Sequence, residues 1–234
     1  MSQSEVSRGE VLRYMGCKGA QSEAGNRTLV EDCLAQLGQA CEPRHLTAVF
    51  PLSLSADGGI DGGCFRTHSR NLSRNLADCH KIIVFAATLG TGADHLIHKY
   101  SRLEMSRAVV LQAAAAAMIE EYCDQVCSAL KEEYEARGEY LRPRFSPGYG
   151  DFPLECQPAL LNALEAGKRI GIKLTDSLLM MPSKSVTAVI GISPVKGFCR
   201  TEGCEACEKN GLSVQEEPGT GKGRRKDRWI SGMN

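Results

Sequence analysis

The chain lacks an excess of either charge. Its 28 Lys and Arg residues balance 28 Asp and Glu residues over 234 positions, which excludes a general nucleic-acid binder working through a basic surface. It has no long hydrophobic run: the longest apolar stretch, around Val109 to Ile119, is alanine-rich and too short to span a bilayer. The first thirty residues are polar and mixed in charge, without the pattern of a secretory signal, so a soluble cytoplasmic protein with no membrane partner is expected. No internal repeat is evident. No Gly-x-Gly-x-x-Gly follows a strand, so a dinucleotide-binding fold is not expected. Thr88-Leu89-Gly90-Thr91-Gly92 comes nearest, and reads better as a strand exit running into a helix start.

What is present is enough apolar material, 42% of residues, for a sizeable core. There are also 11 cysteines. An odd number without a secretory signal argues against a disulfide framework. Cys17, Cys33, Cys41, Cys64, Cys79, Cys123, Cys127 and Cys156 are scattered through helix and strand patterns as small apolar residues. Cys123-x-x-x-Cys127 would need a cysteine at 130 to begin a radical motif, and Leu130 stands there. Cys199, Cys204 and Cys207 are different. Their spacing matches three ligands of a plant-type iron–sulfur site, and the two-residue gap also suits zinc. A fourth ligand is absent downstream, so free or redox-reactive thiols and a bound metal both remain open. Asp94, His95 and His98 read as a solvated helix face rather than a metal cluster.

Helical spacing marks residues 22–40, and β-branched and aromatic content marks a strand over His45 to Ser55. Gly-rich turns flank a short strand near residue 60. Residues 69–79 read as helix, and Lys81 to Ala87 as a buried strand. A long helix is expected over 104–136, with Leu111, Ala115, Met118, Tyr122, Val126 and Ala129 on one face. Ala113, Ala116, Glu120, Cys123 and Cys127 form a second stripe, and Gly138 ends the helix. Pro158 can open a helix that runs to about Ile170, and Ser185 to Ile192 reads as a strand buried on both faces. These elements predict a single α+β domain over 1–215 with a twisted, partly antiparallel sheet and a long central helix. Residues 216–234, with their basic run, read as a disordered tail.

The segment Arg144 to Pro153 carries the chemistry. Pro147 presets φ for the first central position of a tight turn, and Gly148 can take φ > 0 at the second. Ser146 and Tyr149 are thereby brought close together. Gly148 has no Cβ to keep a ligand away, and Arg144 offers a rigid fork of donors to a carboxylate. The combination suits a zwitterionic ligand.

The same segment, with Arg144, Gly148 and Tyr149 as Arg-x-x-x-Gly-Tyr, resembles the S-adenosylmethionine-binding activation (reactivation) domain of cobalamin-dependent methionine synthase. The likeness continues through Leu174-Thr175-Asp176-Ser177 and Met181-Pro182-Ser183-Lys184-Ser185-Val186 and covers about Ser106 to Pro194. Leu12 to Gly16 and Thr88 to Gly90 are similar to the stand-alone bacterial form. The resemblance implies an accessory role in methionine biosynthesis. S-adenosylmethionine is presented to inactive cob(II)alamin, held on a corrinoid-binding methionine synthase chain, and a flavodoxin-like or other donor supplies an electron. The chain has no Asp-x-His-x-x-Gly motif, so the cobalamin should come from that partner.

By the resemblance, Arg144 takes the methionyl carboxylate and Glu120 the α-amino group. Ser146 and Gly148 lie against the adenosine, and Tyr149 flanks the sulfonium. No residue is implied as catalytic. Two departures stand out: an N-terminal ligand-contacting aspartate is missing, and Phe198 stands where a tyrosine is expected. The alternatives are a redox or metal-binding module using the C-terminal cysteines, or methyl transfer to another corrinoid protein.

Overall fold

The computed structural model describes Val11 and residues 20–196. The segment Leu12 to Gly16, Phe198, Cys199, Cys204, Cys207 and the basic tail lie outside the described residues. Two strands of nearly unbroken apolar sequence form the centre. β5 (Lys81–Thr88) and β9 (Ser185–Ser193) pair antiparallel, with Phe85 opposite Ala188 and Ile83 opposite Ile190. β1 (Arg44–Pro51) lies on the other side of β5, and the short β6 (Tyr140–Leu141) on the other side of β9, giving the order β1-β5-β9-β6. Two antiparallel satellites complete the described strands: β2 (Ser53–Leu54), β3 (Gly59–Asp61) and β4 (Arg66–His68), and the hairpin of β7 (Lys173–Leu174) and β8 (Met180–Met181). Every described ladder is antiparallel, so the α+β expectation holds.

Because side chains alternate along a strand, each central strand feeds two cores. Ile83, Phe85 and Ala87 of β5, with Ala188, Ile190 and Ile192 of β9, join α1 (Ala20–Ala40), α3 (Gly92–Leu103) and α4 (Met105–Glu135) in one buried cluster. Complete burial of Phe85 or Ile83 contributes about 1.5–3 kcal/mol each. The 31-residue α4 runs through this core, with Ala113, Ala114, Ala115 and Ala117 buried. On the other face, α2 (Arg70–Asn75) and α5 (Gln157–Ala163) cover the sheet, with Leu72, Leu76, Leu160 and Phe152 buried. Gly191 in β9 admits the segment that follows α2: a Cβ there would sit 2.5 Å from the Cys79 sulfur and 2.9 Å from Leu76 Cδ2.

The Thr88–Gly92 stretch is the strand exit and helix start that its sequence suggests. Gly90 takes φ +76°, and a Cβ at Gly92 would stand 1.9 Å from the Ala40 carbonyl oxygen, so glycine lets α3 abut the end of α1. The expected helix from Pro158 to Ile170 is corrected. α5 ends at Ala163, Glu165 adopts a left-handed φ of +50°, and α6 (Ala166–Arg169) is separate. No glycine or proline marks that break. Leu164, Ala166, Ile170 and Ile172 are all buried, and tertiary packing breaks the helix to bury them. The helix expected over 69–79 is also shorter, ending at Asn75.

Candidate functional site

Arg144 follows β6, and Phe145 beside it bridges to Val189 of β9 through reciprocal backbone hydrogen bonds of 2.9 Å. The bridge fixes alternate side chains in opposite directions. Phe145 is buried, while Arg144 reaches α4, where Glu120 and Asp124 sit one turn apart. Arg144 Nη2 donates to Glu120 Oε2 at 3.2 Å and to Asp124 Oδ1 at 2.6 Å. The Arg144 side chain is only 20% exposed, against 48% and 73% for the two carboxylates, so a mostly enclosed cation meets water through its acids. Each carboxylate makes one bond, both to the same nitrogen, so neither takes the guanidinium fork in bidentate fashion.

Burial pulls the Arg144 pKa down. The sulfurs of Cys123 and Cys127 and the carboxylates of Glu120 and Asp124 more than offset this, so its net shift is upward and it stays a cation. Burial also pushes the Cys123 thiol up to about 12 and raises Cys127. Both thiols are therefore protonated at neutral pH, and the two carboxylates are the operative partners of Arg144.

The turn expected at 146–149 is present. Tyr149 N–H donates to the Ser146 carbonyl at 3.1 Å, with Gly148 at φ +85° in the second central position. The nearest atom to a Cβ at Gly148 would be Leu154 Cδ1 at 3.4 Å, so backbone conformation rather than crowding demands glycine there. Gly148 N–H donates to the Phe152 carbonyl at 2.8 Å. The turn thus spends that donor on its own closure, and Gly148 offers an open surface. Tyr149, 43% exposed, stands edge-on to Phe145 with centroids 5.4 Å apart. Phe145, Phe152 and Phe65 continue inward at 6.3 and 5.7 Å, anchoring the exposed ring to the core.

Asp151 then fastens the loop to α2. It accepts hydrogen bonds from the Ser69 hydroxyl and from the backbone N–H groups of Arg70 (2.7 Å) and Asn71 (3.1 Å). Ser69 itself caps Leu72 N–H at 3.0 Å. Burial raises the Asp151 pKa, but the bonds from Ser69, Asn71 and Arg70 outweigh it, and the net shift is downward.

Arg144 and Glu120 therefore meet directly, and Ser146, Gly148 and Tyr149 form one turn two residues further on. Sequence reasoning missed Asp124 and Asp151. Asp124 stands four residues after Glu120, a spacing that puts it on the same helix face but does not name the residue facing it. Asp151 lay inside the segment already singled out, but its partner α2 is 80 residues away. A groove of about 540 Å³ runs along α4, lined by Glu121, Asp124, Gln125, Ser128, Ala129 and Glu132. It touches the cluster only through Asp124 and lacks a cation of its own, so the Arg144 cluster is the better candidate site. Among the described residues no group of three or more His, Cys, Asp or Glu could hold a metal ion. Asp94 instead binds the Ser183 backbone N–H at 2.8 Å and its hydroxyl, while His95 and His98 are exposed.

The described residues thus form an α+β domain that sets an arginine–carboxylate cluster beside a glycine–tyrosine turn. The fold is similar to the crystal structure of the MetH reactivation domain bound to AdoHcy, with a TM-score of 0.58 at 19% identity, covering 86% of this chain and 77% of that one. Residues 73–198 match the family model for the vitamin B12 dependent methionine synthase activation domain, and the chain belongs to that family.

Proposed function

We propose that this chain binds S-adenosylmethionine at the Arg144 cluster and presents it to cob(II)alamin carried by a methionine synthase chain, returning that cofactor to service. The observation that carries the reading is the enclosed Arg144 guanidinium, one turn of chain away from an open glycine and an exposed tyrosine. The ligand's carboxylate would take the guanidinium in bidentate fashion, displacing the single-bonded carboxylates. Glu120, so released, would accept the α-ammonium. The adenosine would lie over Gly148 and Ser146, and the Tyr149 face would flank the sulfonium.

S-adenosylmethionine supplies an activated methyl group to the partner's cobalt, with one electron from a flavodoxin-like or other donor. This chain's residues bind and orient. The family, together with a fold-mate solved with AdoHcy bound, supports the ligand class. Cytoplasmic placement is part of the same proposal; no described helix is long and apolar enough to cross a membrane.

Calorimetry with S-adenosylmethionine tests the reading. Wild type should bind, and Arg144→Ala should weaken binding by about 10- to 100-fold through loss of a charge-assisted pair. Absence of binding by wild type, or unchanged binding by the variant, overturns it. Remethylation of the partner's cobalamin, with ligand and reductant supplied, then tests the role beyond binding.

A further inference from the structure

Asp124 is the closer of the two carboxylates on Arg144, at 2.6 Å against 3.2 Å for Glu120, and the more exposed, at 73% against 48%. One carboxylate would suffice to neutralise one guanidinium. Two leave the cluster with a formal charge of minus one. On the reading above, the ligand's own carboxylate replaces these acids on Arg144, so both are freed toward the ligand's cationic end. S-adenosylmethionine carries an ammonium, a sulfonium and a carboxylate, for a net charge of plus one. Its demethylated product has lost the sulfonium charge and is a neutral zwitterion.

We propose that Asp124 is a specificity-determining residue: it makes this site prefer the methyl-bearing cation over its demethylated product. This rests on the binding reading of the same site. Asp124 opposes any zwitterion, because the incoming carboxylate must displace it from Arg144. Only a ligand with a second positive charge recovers that interaction, since Glu120 already serves the ammonium. The product, neutral overall, displaces Asp124 and leaves it without a cation. The preference thus favours loading of the charged ligand and departure of the spent one.

Removal of the charge without change of shape separates this from a structural role. Calorimetry on wild type, Asp124→Asn and the control Glu132→Gln, each with S-adenosylmethionine and with S-adenosylhomocysteine, reads the ratio of the two affinities. Glu132 lines the same groove two turns further along α4 and makes no bond to Arg144. Asp124→Asn should bind the product more tightly than wild type does and lower the preference for the cation by about threefold to fivefold. Glu132→Gln should keep the wild-type ratio. Raising salt should shrink the preference in wild type and leave it nearly unchanged in Asp124→Asn.

An unchanged ratio in Asp124→Asn, or an equal fall in Glu132→Gln, overturns the proposal while the binding site stands. Equal wild-type affinity for both ligands overturns it as well. Failure of wild type to bind either ligand overturns the site and the proposal together.

Discussion

Arg144 shows how far one side chain can organise a site. It is charged and mostly enclosed, so it needs counter-ions, and α4 supplies them at Glu120 and Asp124. The two cysteines beside it are the inert part of the cluster. Cys123 has a thiol pushed from the ordinary 9.0 up to about 12 by burial, and Cys41 is raised to about 11 for the same first reason. Native protein at pH 8 should therefore leave Cys123 unmodified by an aromatic disulfide reagent, while urea-unfolded protein reacts at that position; peptide mapping reads the difference. A thiol whose folded pKa lies above its unfolded value contributes stability below pH 9 and loses it as pH rises. The midpoint of urea unfolding should accordingly fall between about pH 9 and 12, and less so in Cys123→Ala. Of these residues Arg144 is legible in the sequence itself, and Glu120 only through the family resemblance. Asp124 was not singled out because an exposed helix acid looks like any other until the residue facing it is known.

At the scale of elements, two contacts hold the site's supports in place. Gly92 lets α3 meet the end of α1, with 1.9 Å between an added Cβ and the Ala40 carbonyl oxygen. Backbone cannot swing aside as a side chain can, so Gly92→Ala should cost about 3 kcal/mol or more in urea denaturation. Asp151 ties the Gly148–Tyr149 turn to the first turn of α2. Asp151→Ala should cost about 1 kcal/mol, as loss of a helix cap does, and should also weaken ligand binding by loosening the turn. Because its pKa is lowered on folding, the stability it contributes is present above the ordinary value of 3.8 and is lost as pH falls through the folded one. Wild type should therefore lose stability faster than Asp151→Ala on acidification below pH 4. The strands β5 and β9 and the helix α4 were readable from unbroken apolar runs and helical spacing. The hairpin β7–β8 escaped because two-residue strands carry no period. The break at Glu165 escaped because Leu-Glu-Ala favours helix locally, and only the demand to bury Leu164 and Ile170 overrides it.

For the molecule as a whole, Cys199, Cys204 and Cys207 have the spacing of three ligands, where structural zinc and iron–sulfur sites take four. Chain purified anaerobically without chelator is expected to carry zinc or iron at well below one per chain, with no charge-transfer absorbance. A stoichiometric metal would point to those cysteines, since no described cluster could hold it. The sequence by itself determined the α+β class, the two central strands, the long helix and the shape of the Pro147–Gly148 turn. Each of these follows from local conformational preference or from a hydrophobic period within one segment. Only the tertiary structure decided the order β1-β5-β9-β6, the meeting of Arg144 with Asp124 and the capping of α2 by Asp151. Those contacts join residues from 20 positions apart, for Arg144 and Asp124, to 111 apart, for Lys81 and Ile192. Their partners are chosen by how the sheet packs against its helices, and no periodicity within a segment encodes that choice.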